Sequence, residues 1–297
     1  MQKRYLSSND SLLKKASYLR IVAKDLADLM KAGNFSSLYK GQGVEFAGVR
    51  DYIRGDDIRS IDWNVTARMG HPYVKMFDEE RELQIFVIVD SSASMQLETG
   101  NNKSKYGVAA EAAALIAMAA EINACPTGAV FFDGEIHFSC KPQSDKENTM
   151  KILNHLDKLP EIQSEGSALG SAINGAGKLL KTRSLVFIFS DFRTSDWEKP
   201  LISLAHKNNV IALRMKDSYQ DELPDIGTMI FEDVESNLRM ELPTSSEHFK
   251  KAWKNYNNQH ENRWQEFCIK HGILPVTMDT KADPLQTLNA VLGKRIR

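Results

Sequence analysis

Apolar stripes and apolar runs alternate along most of this chain, and the alternation predicts most of its elements. Leu12, Ala16, Leu19, Ala23, Leu26 and Met30 recur at spacings of four and three, with Asp10 as a cap and Gly33 as a stop, which predicts a helix over 11–32. One face of it is apolar and must pack, either on the chain's own second domain or on a partner helix. From Leu83 onward, short runs of β-branched and aromatic residues alternate with helical patterns, the signature of an α/β protein with a mostly parallel, doubly wound sheet. Strands are expected at 84–90, 127–132, 135–140, 184–190, 209–215 and 273–278. Asp133-Gly134 between two apolar runs reads as a type I′ turn, making 127–140 an antiparallel pair at a sheet edge. Helices are expected at 105–124, 146–158, 168–181, 197–207 and 246–271, with a small hairpin (229–233 and 238–242) inserted near 229–242. The first of these is rich in alanine and suits close packing on strands. The last carries Phe249, Trp253, Tyr256, His260, Trp264 and Phe267 on one stripe, which is expected to face the core with His260 half-buried.

Residues 41–81 follow neither period. Arg50, Tyr52, Arg54, Asp56, Asp57, Arg59, Asp62, Trp63 and Arg68 bring opposite charges and aromatic rings close together, so a compact, irregular segment held by Arg–carboxylate pairs is expected. These residues either latch the segment onto the α/β domain or present a docking face. Gly41-x-Gly43 is too short for a dinucleotide fingerprint. The domain boundary is set at residues 1–81 and 82–297.

Composition changes the picture mainly by exclusion. The 297 residues, 42% hydrophobic and 26% charged, are enough for a sizeable core, and a net charge of −1 gives no field to recruit nucleic acid or an anionic membrane. The N-terminus lacks the apolar core of a signal peptide, and no apolar run reaches the ~20 residues that cross a bilayer. Cys125, Cys140 and Cys268 are odd in number and widely spaced, which points to free thiols in a reducing compartment and a cytoplasmic protein.

The candidate chemistry lies where predicted strands end. Asp90-Ser91-Ser92-Ala93-Ser94 follows the run Leu83–Val89, and Asp191 follows Ser184–Ser190. In a parallel sheet both aspartates reach the same edge, where such folds bind ligands. Asp90, Ser92 and Ser94 alternate and can aim their oxygens at one point, and the turn Glu165–Gly170 offers Ser167 to that edge. Oxygen-only donors suit a hard cation such as Mg²⁺ or Mn²⁺.

This constellation resembles the metal-ion-dependent adhesion site of von Willebrand factor type A domains, a Rossmann-like fold. The resemblance spans residues 82–297 and implies Asp90, Ser92, Ser94, Ser167 and Asp191 as metal ligands, with Ser at 167 where Thr is commoner. The preceding segment contains Gly43-x-Glu45-Phe46-x3-Arg50-x-Tyr52-x2-Gly55-Asp56-Asp57-x-Arg59-x-Ile61-Asp62-Trp63 and then Ala67-Arg68. It resembles the signature of the bacterial family numbered fifty-eight among domains of unknown function. That resemblance implies a type A domain behind the segment and a MoxR-type AAA+ ATPase as partner. A metal bound in such a site takes a carboxylate from an acidic-residue-bearing client as its last ligand. Phe192, Arg193 and Trp197, in the loop after Asp191, are then plausible partner contacts, or else pack on their own helix.

The expected function is a non-catalytic, metal-dependent adaptor. A metal-dependent hydrolase or phosphatase using Asp90 and Asp191, or an ion that merely ties loops, are the alternatives. Against an enzyme, the position two residues after Asp90 is Ser92, where a haloacid-dehalogenase-type phosphatase carries a second Asp. P-loop and nucleophile-elbow sequences are absent, and no histidine falls in the three metal loops.

Overall fold

The computed structural model describes residues 12, 16–32, 44–79, 83–99, 103–158, 167–217, 227–232 and 239–293. The expected Asp10 cap, the Gly33 stop, Gly41-x-Gly43 and Glu165-Gly166 lie outside those residues.

The chain opens with α1 (Ala16–Ala32), β1 (Val44–Asp51), a single 3₁₀ turn at Ile58–Ser60, α2 (Trp63–Met69) and β2 (Tyr73–Glu79). β1 and β2 pair antiparallel, a regular hairpin where an irregular segment is expected from the sequence. Its register shifts between Phe46 and Gly48, which breaks the alternation that marks a strand. Next come β3 (Ile85–Asp90), α3 (Ala93–Gln96), the short pair β4 (Glu98–Thr99) and β5 (Lys103–Ser104), and α4 (Lys105–Ile122). β6 (Thr127–Phe132), β7 (Ile136–Gln143), α5 (Lys146–Asp157), α6 (Leu169–Leu179), β8 (Leu185–Ser190), α7 (Glu198–Lys207) and β9 (Asn209–Lys216) follow. The hairpin β10 (Thr228–Glu232) and β11 (Arg239–Pro243), then α8 (Glu247–Lys270), β12 (Leu274–Asp279) and α9 (Pro284–Leu292), complete the described chain.

Six strands form one sheet in the order β12-β9-β8-β3-β6-β7, parallel throughout except for the edge pair β6–β7. Strand alternation separates two cores. Ile85, Val87 and Val89 face a layer containing α1, α4, α5 and α9, whereas Phe86 and Ile88 face a layer of α6, α7 and α8. The apolar stripe of α1 (Leu19, Ala23, Leu26, Ala27 and Met30) is buried in the first layer, so this helix docks on the chain's own core. Asn123 Nδ2 donates to the Ala27 carbonyl at 2.8 Å, fixing the contact. The alanines of α4 are what allow it to lie so close, since Ala109, Ala112, Ala113 and Ala114 are each fully buried.

Two local expectations need correction. The β6–β7 turn is not type I′: Phe132 pairs with Ile136 across three residues, and neither Asp133 nor Gly134 has a positive φ. Asp133 instead closes the turn by accepting from the Glu135 backbone N–H at 3.0 Å. The α8 stripe reaches the core only in its C-terminal half, where Trp264 and Cys268 are buried, while Tyr256 is 64% exposed.

The chain leaves β3 towards β6 on one side and returns to β8 on the other. Strand order therefore reverses between β3 and β8, and their carboxyl ends border the crevice where open α/β sheets bind ligands. Asp90 and Asp191 stand there.

Candidate metal centre

The first loop is wound around Asp90. Its Oδ1 accepts from the Ser92 backbone N–H at 2.9 Å, a local bond that aspartate makes readily at the end of a strand. Ser92 and Ser94 place their hydroxyls 3.3 Å apart. Ser91, the odd member of the triplet, donates to the Phe132 carbonyl at 2.8 Å and so pins the loop to β6. From the second loop, Ser167 Oγ donates to Asp90 Oδ2 at 3.3 Å, and from the end of β8, Ser190 Oγ donates to the same oxygen at 2.7 Å. Asp90, Ser92, Ser94 and Ser167 thus form one connected network.

Asp191 has different company. Lys105, the first residue of α4, places Nζ 2.8 Å from Asp191 Oδ2, with both side chains buried. The other oxygen accepts from the Arg193 backbone N–H at 3.2 Å. Sequence reading misses both Lys105 and Ser190. Ser190 is legible afterwards as the residue before the strand-terminal Asp. Lys105 carries no signal of its own, because one lysine at the start of an alanine-rich helix fits any solvated terminus.

The loops are braced against each other. Thr194 Oγ1 donates to the Ser167 carbonyl at 3.4 Å, and the Ala168 N–H donates to the Asp133 carbonyl at 2.6 Å. A Cβ on Gly170 would meet the Asp196 carbonyl oxygen at 2.6 Å, so only glycine lets α6 and the 191–197 loop approach this closely. Phe192 is held at φ 53°, a left-handed conformation that costs a bulky residue energy, with its ring buried between Trp197 and Trp264.

The two carboxylates titrate in opposite senses. Burial, reinforced by the nearby Asp191 charge, pushes the Asp90 carboxyl up to about 6 against the pull of Ser92 and Ser190. Burial also acts to raise Asp191, but the Lys105 ammonium outweighs it and holds that carboxyl below the ordinary range. A negative charge at Asp90 is therefore under-compensated at neutral pH.

The donor set fits a hard cation by its chemistry: oxygen atoms only, two carboxylates and three hydroxyls, with Asp90 carrying charge that its neighbours do not neutralise. Asp90, Ser92, Ser94, Ser167 and Asp191 would hold it, Asp191 sharing or releasing its bond to Lys105. Among the described residues two carboxylates, Asp90 and Asp191, meet here. Among the described residues no group of three or more His, Cys, Asp and Glu forms a metal site.

The remaining expected site residues separate. Phe192 and Trp197 are 1% and 6% exposed and pack with Trp264 and Phe267 in the core, so neither offers a surface to a partner; Arg193 alone of the three is exposed. In the N-terminal hairpin Arg50 and Asp56 form a bidentate pair at 2.7 Å through both oxygens. Asp57 and Asp62 cap the 3₁₀ turn and α2, and the Tyr52 N–H donates to the Pro72 carbonyl. The bonds of these five residues stay within the hairpin. Arg59 and Trp63 are exposed, and Glu45 pairs with Asp78 in β1, its side chain lying outside the described residues.

The fold and this crevice define an α/β protein with a mixed, mostly parallel six-stranded sheet and a buried carboxylate pair at its switch point. The chain belongs to the family described as Protein of unknown function DUF58, whose model matches residues 48–263. It is 30% identical over 226 residues to the uncharacterized protein Rv1480 of Mycobacterium tuberculosis H37Rv, covering 75% of this chain and 71% of the relative. The uncharacterized protein Mb1516 of Mycobacterium bovis matches equally. Among solved structures, an aerotolerance-related membrane protein from Bacteroides fragilis aligns with 70% of this chain and 96% of its own, at 14% identity and a TM-score of 0.46, too low to carry an argument. Among the described residues no helix is long and apolar enough to cross a membrane.

Proposed function

We propose that the chain is a non-catalytic protein-binding adaptor whose crevice holds Mg²⁺ or Mn²⁺, in the manner of a von Willebrand factor type A domain, and that it works with a MoxR-type AAA+ ATPase on client proteins. The observation that carries this reading is the network joining Asp90 to Ser92, Ser167 and Ser190 at the sheet's switch point. It gathers neutral hydroxyls around one under-compensated carboxylate, which is the donor chemistry a hard cation wants. A bound cation would supply an electrophilic centre open to one further oxygen, fitting an Asp or Glu of the client. Asp90 and the hydroxyls orient that centre, and Arg193 stands exposed at its rim. No proton-transfer role is required of these residues. Ser91, which pairs with His137 at 2.9 Å, is buried and committed to the Phe132 carbonyl, so it does not suit a nucleophile. The free thiols Cys125, Cys140 and Cys268 fit action in the reducing cytoplasm.

A second docking face has its own support. Ile53, Ile58, Trp63 and Met69 of the N-terminal hairpin are each more than half exposed, and large apolar side chains in that number on one small module suit a protein contact. The reading assigns the ATPase to this face and the client to the crevice.

The test is co-precipitation of the tagged chain with the purified MoxR-type ATPase and client fraction, in Mg²⁺ and in EDTA. Ser92→Ala/Ser94→Ala is the informative variant, because Asp191→Ala would strand the Lys105 ammonium. Client recovery only with Mg²⁺ and only by wild type is expected; equal recovery in every lane would sink the reading.

A further inference from the structure

A small cleft open to solvent adjoins the crevice and shares Lys105 and Arg193 with it. Its other walls come from the end of β9 and from α8. Arg214 and Lys216 follow Val210 and Ala212 at alternate positions, so they continue onto the same face of the sheet after the apolar residues stop. Asn257 and Glu261 lie four apart on α8 and cover that face.

The charge is one-sided. Lys105, Arg193, Arg214 and Lys216 line it with Asp217 and Glu261, four cationic side chains against two carboxylates, with Asp191 beside Lys105 as a third. Both lining carboxylates accept bonds from the protein: Glu261 from Lys216 and Thr277 at 3.2 Å each, and Asp217 from Thr280 at 3.3 Å. Arg214 is only 7% exposed, with Nη2 3.1 Å from His260 Nδ1 and its guanidinium over the Trp264 ring. Burial and the Arg214 charge hold His260 below its ordinary pKa, so the imidazole is neutral and accepts. Independently, Asn257 Nδ2 is buried with no hydrogen-bond partner, an unused donor on the same wall.

We infer that this cavity is an anion site, taking a phosphate-sized oxyanion between Arg193, Arg214 and the Asn257 amide. The Arg193 guanidinium, the fixed charge of Arg214 and an amide N–H are the kinds of donor that a phosphoryl group recruits. The site stands on its own residues and does not require the cation crevice to be loaded.

Calorimetric titration of inorganic phosphate into the full chain, in EDTA and at constant ionic strength, tests this. Saturable binding of one phosphate per chain is expected, weakened about tenfold or more in Arg193→Gln and in Asn257→Ala. Neither substitution touches the core, and circular dichroism checks that both remain folded. Affinity unchanged in Ser92→Ala/Ser94→Ala would separate the site from the metal centre. No saturable binding, or equal affinity in wild type and both cavity variants, would overturn the assignment.

Discussion

Asp56 and Asp90 are the same side chain in two regions of one molecule, and they titrate in opposite directions. Asp56, in the N-terminal hairpin, is held down to about 2, first by its hydrogen bonds from Arg50 and then by the Ile53 N–H. Asp90, at the sheet's switch point, is pushed up to about 6 by burial and the charge of Asp191. The hairpin pairs Asp56 with Arg50 and the Ile53 N–H locally and in water's reach, which is how a loop is given a fixed shape. The crevice buries two carboxylates together, Asp191 paired with Lys105 and Asp90 held by the Ser92 N–H and the hydroxyls of Ser167 and Ser190. The first arrangement stabilises the charged carboxylate, and the second penalises it.

Breaking the crevice should have the largest effect. Lys105→Met leaves Asp191 buried and unpaired, and should lower stability by about 3–5 kcal/mol in urea unfolding without added metal. A loss below about 1 kcal/mol would mean that water reaches Asp191 freely. Next comes pH. The folded state retains a proton on Asp90 that the unfolded chain, with a carboxyl near about 3.9, releases. This group's contribution is therefore full below about pH 4 and lost as pH rises through about 6, amounting to roughly 2–3 kcal/mol. Urea midpoints of wild type and Asp90→Ala between pH 4 and 7 isolate it, since the variant should lack that slope, and excess Mg²⁺ should flatten it in wild type.

Gly170→Ala sharpens the comparison from the packing side. The new methyl would collide with the Asp196 carbonyl, so about 1–3 kcal/mol should be lost and the 191–197 loop displaced, visible in Trp197 fluorescence. In the hairpin the expected effects shrink. Asp56→Asn should slightly lower the melting temperature at pH 7 and make no difference near pH 2, because the Arg50 pair stabilises only above the pH where Asp56 ionises. Trp63→Ala should leave stability within about 0.5 kcal/mol yet abolish ATPase co-precipitation if that face docks the ATPase; unchanged co-precipitation removes the second docking face.

The difference in how each region is built also explains what the sequence discloses. The sheet is legible because β3 and β8 are apolar runs that end at Asp90 and Ser190-Asp191, and β9 carries the run Val210–Leu213 before Arg214. Asp90, Ser92 and Ser94 are legible because a strand end fixes where they go, and Ser167 because a glycine-flanked turn opens the next helix. The β1–β2 hairpin is hidden by its bulge at Gly48 and by a long connection that contains α2. Burial of Phe192 and Trp197 depends on aromatic partners on α8, over sixty residues later, which no local pattern reveals. Lys105 is hidden for the same reason: its partner Asp191 is 86 positions away. Arg214-x-Lys216 did carry a signal, two cations at alternate positions closing an apolar strand, and that pattern merits reading as a site.

We propose that the crevice accepts a divalent cation through Asp90 and its hydroxyls. Titrating the full chain with Mn²⁺ while following free Mn²⁺ by electron paramagnetic resonance tests it most directly. One saturable site in wild type, lost in Ser92→Ala/Ser94→Ala and competed by Mg²⁺, is the expected result. Mn²⁺ binding that is absent, or identical in the folded variant, would contradict the account.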